Sequence, residues 1–161
     1  MQVFEEGFRL DVPRPRVWEF LNDYARVAPC VPGCEEVVAR DADHLTARLR
    51  VKVGPVATTQ RLDLTVTERV PPERLASVGR GEDPGLASRV TVRSVVELRE
   101  ADGGGATDVR CRVELQLSGR LATLGEAVMR AKSQQMVRTF AERLAAAIGA
   151  GAGEPAAGGE G

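Results

Sequence analysis

Hydrophobic and polar positions fall into two regimes along the chain. Phe8, Leu10 and Val12 alternate with Arg9 and Asp11, the period-two pattern of a half-buried strand, and Pro13 ends it. Residues 15–21 read as a short helix with Pro15 in its first turn, where the missing N–H costs nothing. A second short helix fits around residues 24–28, closed by Pro29 and Pro32. The stretch Cys30-Val31-Pro32-Gly33-Cys34 reads as a turn, and a new strand begins at residues 35–39.

From residue 44 to 118 the alternation is regular. Leu45, Ala47, Leu49, Val51 and Val53 face one way, and Gly54-Pro55 turns the chain. Val56, Leu62, Leu64 and Val66 continue it until Pro71-Pro72, residues 74–81 form a further strand, and residues 81–85 form a loop. Val90, Val92, Val96 and Leu98 follow, then Val109, Cys111, Val113, Leu115 and Leu117 after a Gly-rich turn. Hairpin-length connections make this sheet antiparallel, with one apolar and one wet face.

After Gly119 the period changes. Leu121, Leu124, Val128, Met136, Phe140, Leu144 and Ile148 recur at helical steps, which predicts one helix of about seven turns. Its apolar stripe finds a partner only on the concave face of the sheet. The expectation is an α+β helix-grip fold: a curved seven-stranded antiparallel sheet, two short helices after the first strand, and a long C-terminal helix across the concave face. Residues 1–149 form a single domain in this reading, and residues 150–161 a disordered Gly/Ala-rich tail. No internal repeat is present.

A bent sheet of this size does not close flush on one helix, and the gap is a natural apolar pocket. Its expected wall is the inward strand series, with Met129 and Met136 as deformable fillers from the helix. The competing reading is that these residues simply fill a core, which a structure lacking a cavity of some 300 Å³ would support.

Composition narrows the chemistry. The 161 residues are 43% hydrophobic and 28% charged, with a net charge of −1, which fits one globular domain and excludes a disordered polymer. Only 4% are aromatic, so a cavity here is walled by aliphatics. Lys and Arg number 22 against 23 Asp and Glu, without the basic excess of a nucleic-acid binder. The single histidine, His44, sits in a polar turn, away from any triad or metal set. Cys30, Cys34 and Cys111 make an odd total and a poor disulfide framework, so a reducing cytoplasm is expected. Cys30 and Cys34 lack the second ligand pair of a metal site; neither a metal nor a cofactor is expected. The opening residues show no secretory leader, and no apolar run approaches a membrane span.

The arginines at 48, 50, 61, 89, 93, 110 and 112 fall on the outer sheet face. Two readings apply: a docking surface for an acidic partner protein, or a solvated convex face with salt-bridging cross-strand neighbours such as Asp63 and Glu114.

Several motifs together carry a resemblance. Gly7-Phe8-Arg9-Leu10-Asp11-Val12-Pro13, Val17-Trp18-Glu19-Phe20-Leu21-Asn22-Asp23, Pro29-Cys30-Val31-Pro32-Gly33-Cys34-Glu35, Val51-Lys52-Val53-Gly54-Pro55-Val56 and Gly119-Arg120-Leu121-Ala122-Thr123-Leu124-Gly125 are similar to the carbon monoxide dehydrogenase G-subunit family, of the START-like (SRPBCC, Bet v 1-like) superfamily. The resemblance covers roughly residues 3 to 148. It implies a noncatalytic accessory protein that holds a quinone, lipid or aromatic ligand and helps associate a molybdenum hydroxylase with the membrane and its quinone pool. Peripheral contact at the inner membrane face goes with that role, while the cytoplasmic setting is expected from the sparse cysteines and the absence of a nucleic-acid partner from the balanced charge. The pocket mouth is expected where the 53–55 turn, the 81–86 loop and residues 121–125 converge, with Cys30 and Pro32 covering it. The expected ligand-binding set is Cys30, Pro32, Val51, Val53, Leu62, Leu64, Leu86, Val90, Val92, Val113, Leu115, Leu121, Leu124, Val128, Met129, Met136 and Phe140. The tail lacks an apolar run or basic cluster, so tail-mediated anchoring is not expected here. An alternative is an enzyme like the polyketide cyclases and aromatases of the same superfamily. Such an enzyme would place acid–base groups in the cavity, whereas the inward series offers only Thr58, Gln60 and Ser94 as polar exceptions.

Overall fold

A computed structural model describes residues 2–151. Strand β1 (Gln2–Leu10) is followed by helices α1 (Arg14–Leu21) and α2 (Tyr24–Val27) and a 3₁₀ turn (Ala28–Cys30). Then come β2 (Cys34–Ala39), β3 (His44–Val53), β4 (Val56–Val70), β5 (Arg74–Asp83), β6 (Ser88–Ala101), β7 (Ala106–Ser118) and α3 (Glu126–Gly151). The seven strands form one sheet in the order β1-β7-β6-β5-β4-β3-β2, every neighbouring pair antiparallel. Consecutive strands from β2 to β7 are hairpin neighbours, and β1 returns to the β7 edge. The helix-grip architecture read from the sequence is the one observed.

Three boundaries differ from the sequence reading. β1 starts at Gln2, because Phe4 continues the inward alternation of Phe8 and Leu10 across Glu5, Glu6 and Gly7, pairing with Val113 on β7. The C-terminal helix starts at Glu126, not at Leu121: residues Gly119–Leu124 form a 3₁₀ segment, and Gly125 at φ 87° reorients the chain before the α-helix begins. The backbone at Gly119 (φ 72°) lies so close to Ala87 that only glycine fits there. At the other end α3 runs through Gly151, past the expected stop at Ile148; residues 152–161 of the predicted tail lie outside the described residues.

Helix α3 is held at both ends. Leu144 and Ile148 are buried in a cluster with Leu10, Val12, Val17, Phe20, Leu21, Cys30, Leu98 and Val109, which joins α1 and the last strands under its C-terminal half. Met129 is buried near its N-terminus with Phe4, Val53 and Leu115. Each cluster removes several large aliphatic side chains from water, at roughly 1.5–3 kcal/mol apiece before the entropy of ordering them. Between these clusters the helix crosses the sheet without filling the space beneath it.

Candidate functional site

That space is a cavity of about 400 Å³. Its floor is the concave sheet face: Leu49, Val51 and Val53 from β3, Leu62 and Leu64 from β4, Val90, Val92 and Val96 from β6, and Val113, Leu115 and Leu117 from β7. Met129, Met136, Val137 and Phe140 of α3 form the roof, spaced at helical steps that keep them on one face. Val31, Pro32 and Leu121 close the sides. Leu62, Leu64, Val92, Val96 and Val113 are only half-buried although they point inward, because the surface they retain faces the cavity.

Two glycines deepen the floor. A Cβ on Gly79 would stand 3.3 Å from Leu64 Cδ2, and one on Gly81 would stand 2.6 Å from Leu62 Cδ2. The inner face of β5 is bare at these positions, and the leucines of β4 lie across it.

The sequence-predicted residues divide accordingly. Pro32, Val51, Val53, Leu62, Leu64, Val90, Val92, Val113, Leu115, Leu121, Met129, Met136 and Phe140 line the cavity. Cys30 does not: the 3₁₀ turn directs its side chain into the core against Leu144 and Ile148, 3% exposed, and its neighbours Val31 and Pro32 face the cavity instead. Leu86 lies in the short turn Pro84–Leu86, outside the wall. Leu124 packs against the Phe4–Met129 cluster at the end of the cavity. Val128 is 39% exposed and points toward Gly54, since Met129 already occupies the inward position of that turn. The expected mouth therefore keeps Val53 and Leu121 and loses Leu86 and Leu124.

Other lining residues were absent from the predicted set. Phe4 belongs to the part of β1 that two consecutive glutamates disguise, and Leu49, Val96, Cys111 and Leu117 continue inward series already visible in the alternation. Lys132 and Ser133 of α3 also line the cavity. The Lys132 side chain reaches outward to solvent, where Nζ donates to Gln135 Oε1 at 3.3 Å, giving the cavity a polar lip.

One polar cluster is built into the apolar wall. Thr58 and Gln60 of β4 and Ser88 of β6 are buried at 5%, 4% and 1% exposure. Gln60 Nε2 donates to Thr58 Oγ1 at 2.9 Å and to Ser88 Oγ at 3.2 Å, and Thr58 Oγ1 donates to Asp83 Oδ2 at 2.8 Å. The Thr58 hydroxyl, together with backbone N–H donors, holds the Asp83 carboxyl below its ordinary range. Nearby, Ser77 and Ser94 share a hydrogen bond of 2.7 Å. Cys111 is the one thiol on the wall; burial pushes it up to about 11, with Glu6 adding to the shift.

The outer sheet face carries a second, larger depression of about 1050 Å³, lined by Arg40, Arg48, Arg61, Arg80 and Arg89 with Glu36, Asp63 and Glu82. It is charged and solvated, so it does not compete for an apolar ligand. Ion pairs lace this face, among them Arg48 to Glu35 at 3.1 Å, Arg112 to Glu5 at 2.9 Å and Arg112 to Glu114 at 3.2 Å. Exposed pairs of this kind contribute roughly 0–1 kcal/mol each. Glu114 pairs with Arg112 on its own strand, not with the cross-strand Arg93, and Asp63 makes no ion pair among the described residues.

His44 is the exposed first residue of β3, with Nδ1 2.8 Å from Asp41 Oδ1 in the turn before it. Cys30, Cys34 and Cys111 are free thiols. Among the described residues no group of three or more His, Cys, Asp or Glu side chains could hold a metal ion, and no helix is long and apolar enough to cross a membrane.

The same architecture recurs in solved structures. A conserved protein from Geobacillus kaustophilus superimposes with a TM-score of 0.84 at 19% identity, covering 91% of this chain and 95% of that one. A START superfamily protein from Mycobacterium smegmatis gives 0.65 at 11% identity, with coverage of 91% and 96%. The Zhui aromatase/cyclase from Streptomyces sp. R1128 gives 0.61 at 16% identity, with coverage of 91% and 90%. At these identities the likeness concerns the fold. No curated protein matches the sequence. The model of the carbon monoxide dehydrogenase G-subunit (CoxG) family matches residues 7–149. With that match spanning nearly the whole described chain, and the START-like fold around it, the chain belongs to the carbon monoxide dehydrogenase G-subunit (CoxG) family.

Proposed function

We propose that this chain is a noncatalytic carrier that holds a quinone or lipid-like molecule in its cavity and helps recruit a molybdenum hydroxylase to the cytoplasmic membrane. The observation that carries the reading is the cavity of about 400 Å³ between sheet and α3, walled by aliphatic side chains. Its size falls within the roughly 300–1,000 Å³ of small-molecule sites. Burying an apolar ring against such a wall is favourable at about 25 cal/mol per Å² of surface removed from water. Lys132 and Ser133 at the lip would meet the polar part of a ligand whose length exceeds the cavity. The family supports an accessory role, since its name is that of one subunit of a dehydrogenase.

A second reading, an enzyme acting on an aromatic or polyketide substrate, is favoured by the likeness to the Streptomyces aromatase/cyclase. Acid–base catalysis needs a positioned group with a pKa near the operating pH. On this wall the titratable side chains are Lys132, directed to solvent, and the protonated thiol of Cys111. That inventory supports the carrier.

Titration of the purified protein with a short-chain ubiquinone, followed by native mass spectrometry, tests the proposal. A one-to-one complex is expected; no uptake of quinone and no copurifying lipid overturns it.

A further inference from the structure

The protons of the cluster around Gln60 can be counted. Asp83 accepts from Thr58 Oγ1 at 2.8 Å, from the Thr59 amide at 3.1 Å and from the Gly85 amide at 3.1 Å. An ionised carboxylate only accepts. The Thr58 hydroxyl has one proton and gives it to Asp83, so its oxygen is left to accept from its other neighbour. It does so from Gln60 Nε2 at 2.9 Å, and the second proton of that nitrogen goes to Ser88 Oγ at 3.2 Å. Both amide protons are committed, and the charge of Asp83 thereby fixes which way the Gln60 amide points. The remainder is Gln60 Oε1, an acceptor on a side chain 4% exposed, with no partner.

Native proteins rarely leave a buried acceptor empty. Gln60 lies on the cavity wall, and Oε1 sits over Gly81: a Cβ there would be 3.0 Å from Oε1 and 2.6 Å from Leu62 Cδ2. Leu62 Cδ2 flanks the same space above Gly81; it is the far end of a flexible side chain, which a ligand can displace by a rotamer change.

We propose that Gln60 sets the ligand specificity of the cavity, selecting molecules whose head donates a hydrogen bond, a phenol or hydroquinone, over ketones or ethers of the same shape. The inference rests on the reading of the cavity as a ligand site. A hydroxyl that displaces Leu62 gives Oε1 its missing donor; a quinone carbonyl, which only accepts, meets acceptor with acceptor. For a redox-active ligand the reduced form is therefore the one held more tightly.

The test uses 4-octylphenol and its methyl ether, which differ in the donor, titrated calorimetrically into the full chain. A purely apolar cavity favours the ether, because no hydroxyl has to be desolvated. The expected result is the opposite: the phenol binds about tenfold more tightly. In Gln60→Leu the preference reverses. Gly81→Ala keeps the amide but sets a methyl 3.0 Å from Oε1, and it abolishes the preference as well, which covers the case in which the Gln60 variant fails to fold. Equal binding, or tighter ether binding, by the unaltered protein overturns the role of Gln60 and leaves the carrier reading standing. Uptake of neither compound overturns the role of Gln60, and the carrier reading falls with it if the quinone titration fails and no lipid copurifies. A phenol preference that survives in a folded variant places the donor's partner elsewhere and overturns the proposal.

Discussion

Arg69 Nε donates to Asn22 Oδ1 at 2.9 Å, joining the far end of β4 to the end of α1. The rest of the guanidinium reaches Tyr24 Oη, the Ala42 carbonyl and Asp43. One side chain thus ties α1, α2 and the turn before β3 to the sheet. This matters for the cavity, because Val31 and Pro32, which close its side, follow α2 across the single 3₁₀ turn Ala28–Cys30.

Replacing Arg69 by Met keeps the apolar stem and removes these donors. Charge-assisted bonds of this kind contribute about 1.5–3 kcal/mol each when partly buried, with strong overlap inside one network. A loss of about 2–3 kcal/mol is expected, read as a fall in Tm of about 5–10 °C for a domain of this size. Arg69→Lys recovers little of it, since a single ammonium cannot span acceptors that a planar fork reaches together. Thermal unfolding of both variants checks this; a lysine variant as stable as the original would show that charge alone matters here.

Three glycines with positive φ separate strain from collision. Gly119 (φ 72°) would bring a Cβ to 1.9 Å from the Ala87 carbonyl oxygen, and Gly33 (φ 83°) would bring one to 2.1 Å from that of Arg50, whereas Gly103 (φ 66°) has nothing within 4 Å. Gly103→Ala should therefore cost only the left-handed conformation, about 1–2 kcal/mol. Gly119→Ala and Gly33→Ala must also move backbone, raising the cost to about 3 kcal/mol or more. Urea midpoints of the three variants order them; equal losses would mean that the backbone at Ala87 and Arg50 yields freely. Gly33→Ala should in addition weaken ligand uptake, since the Gly33 carbonyl accepts from the Arg50 amide at 2.8 Å and holds the Pro32 segment beside the cavity.

The strands and most of the inward face were legible because the alternation holds its phase along β3, β6, β7 and β4 up to the bulge between Val66 and Glu68, and short turns favour hairpin pairing; the place of β1 beside β7 was not. Twelve of the thirteen expected residues that line the cavity followed from that phase or from helical spacing, and Pro32 followed from the family resemblance. Three of the failures share a cause. Cys30, Leu86 and Leu124 lie in or beside 3₁₀ turns, where neither a two-residue nor a 3.6-residue period says which way a side chain points. Val128 precedes Met129 on α3, and only the actual start of the helix at Glu126 decides which of the two faces inward. Phe4 was hidden by the run Glu5-Glu6-Gly7, whose inward member Glu6 breaks the apolar pattern without breaking the strand. The proton bookkeeping of Gln60 depends on Asp83 and Ser88, 23 and 28 positions away in sequence, and sequence periodicity contains no trace of it.

Cys111 faces Val96 on β6 and Glu6 on β1, and burial raises its thiol from an ordinary value of 9.0 to about 11. The neutral thiol is the form the folded protein prefers, so this residue's contribution to stability is complete below pH 9.0 and is lost as pH rises through about 11. The thiolate is the reactive form, so alkylation of Cys111 by iodoacetamide at pH 8 should be far slower in the folded protein than in urea, and should climb steeply toward pH 11. Cys34, on the edge strand and outside the cavity wall, is the internal control. A molecule filling the cavity should slow alkylation of Cys111 further at every pH while leaving Cys34 unchanged. Peptide mass spectrometry of the alkylated protein reads both sites in one sample. Fast modification of Cys111 at pH 8, or equal protection of the two thiols by ligand, would contradict the placement of Cys111 on the wall of a ligand-filled cavity.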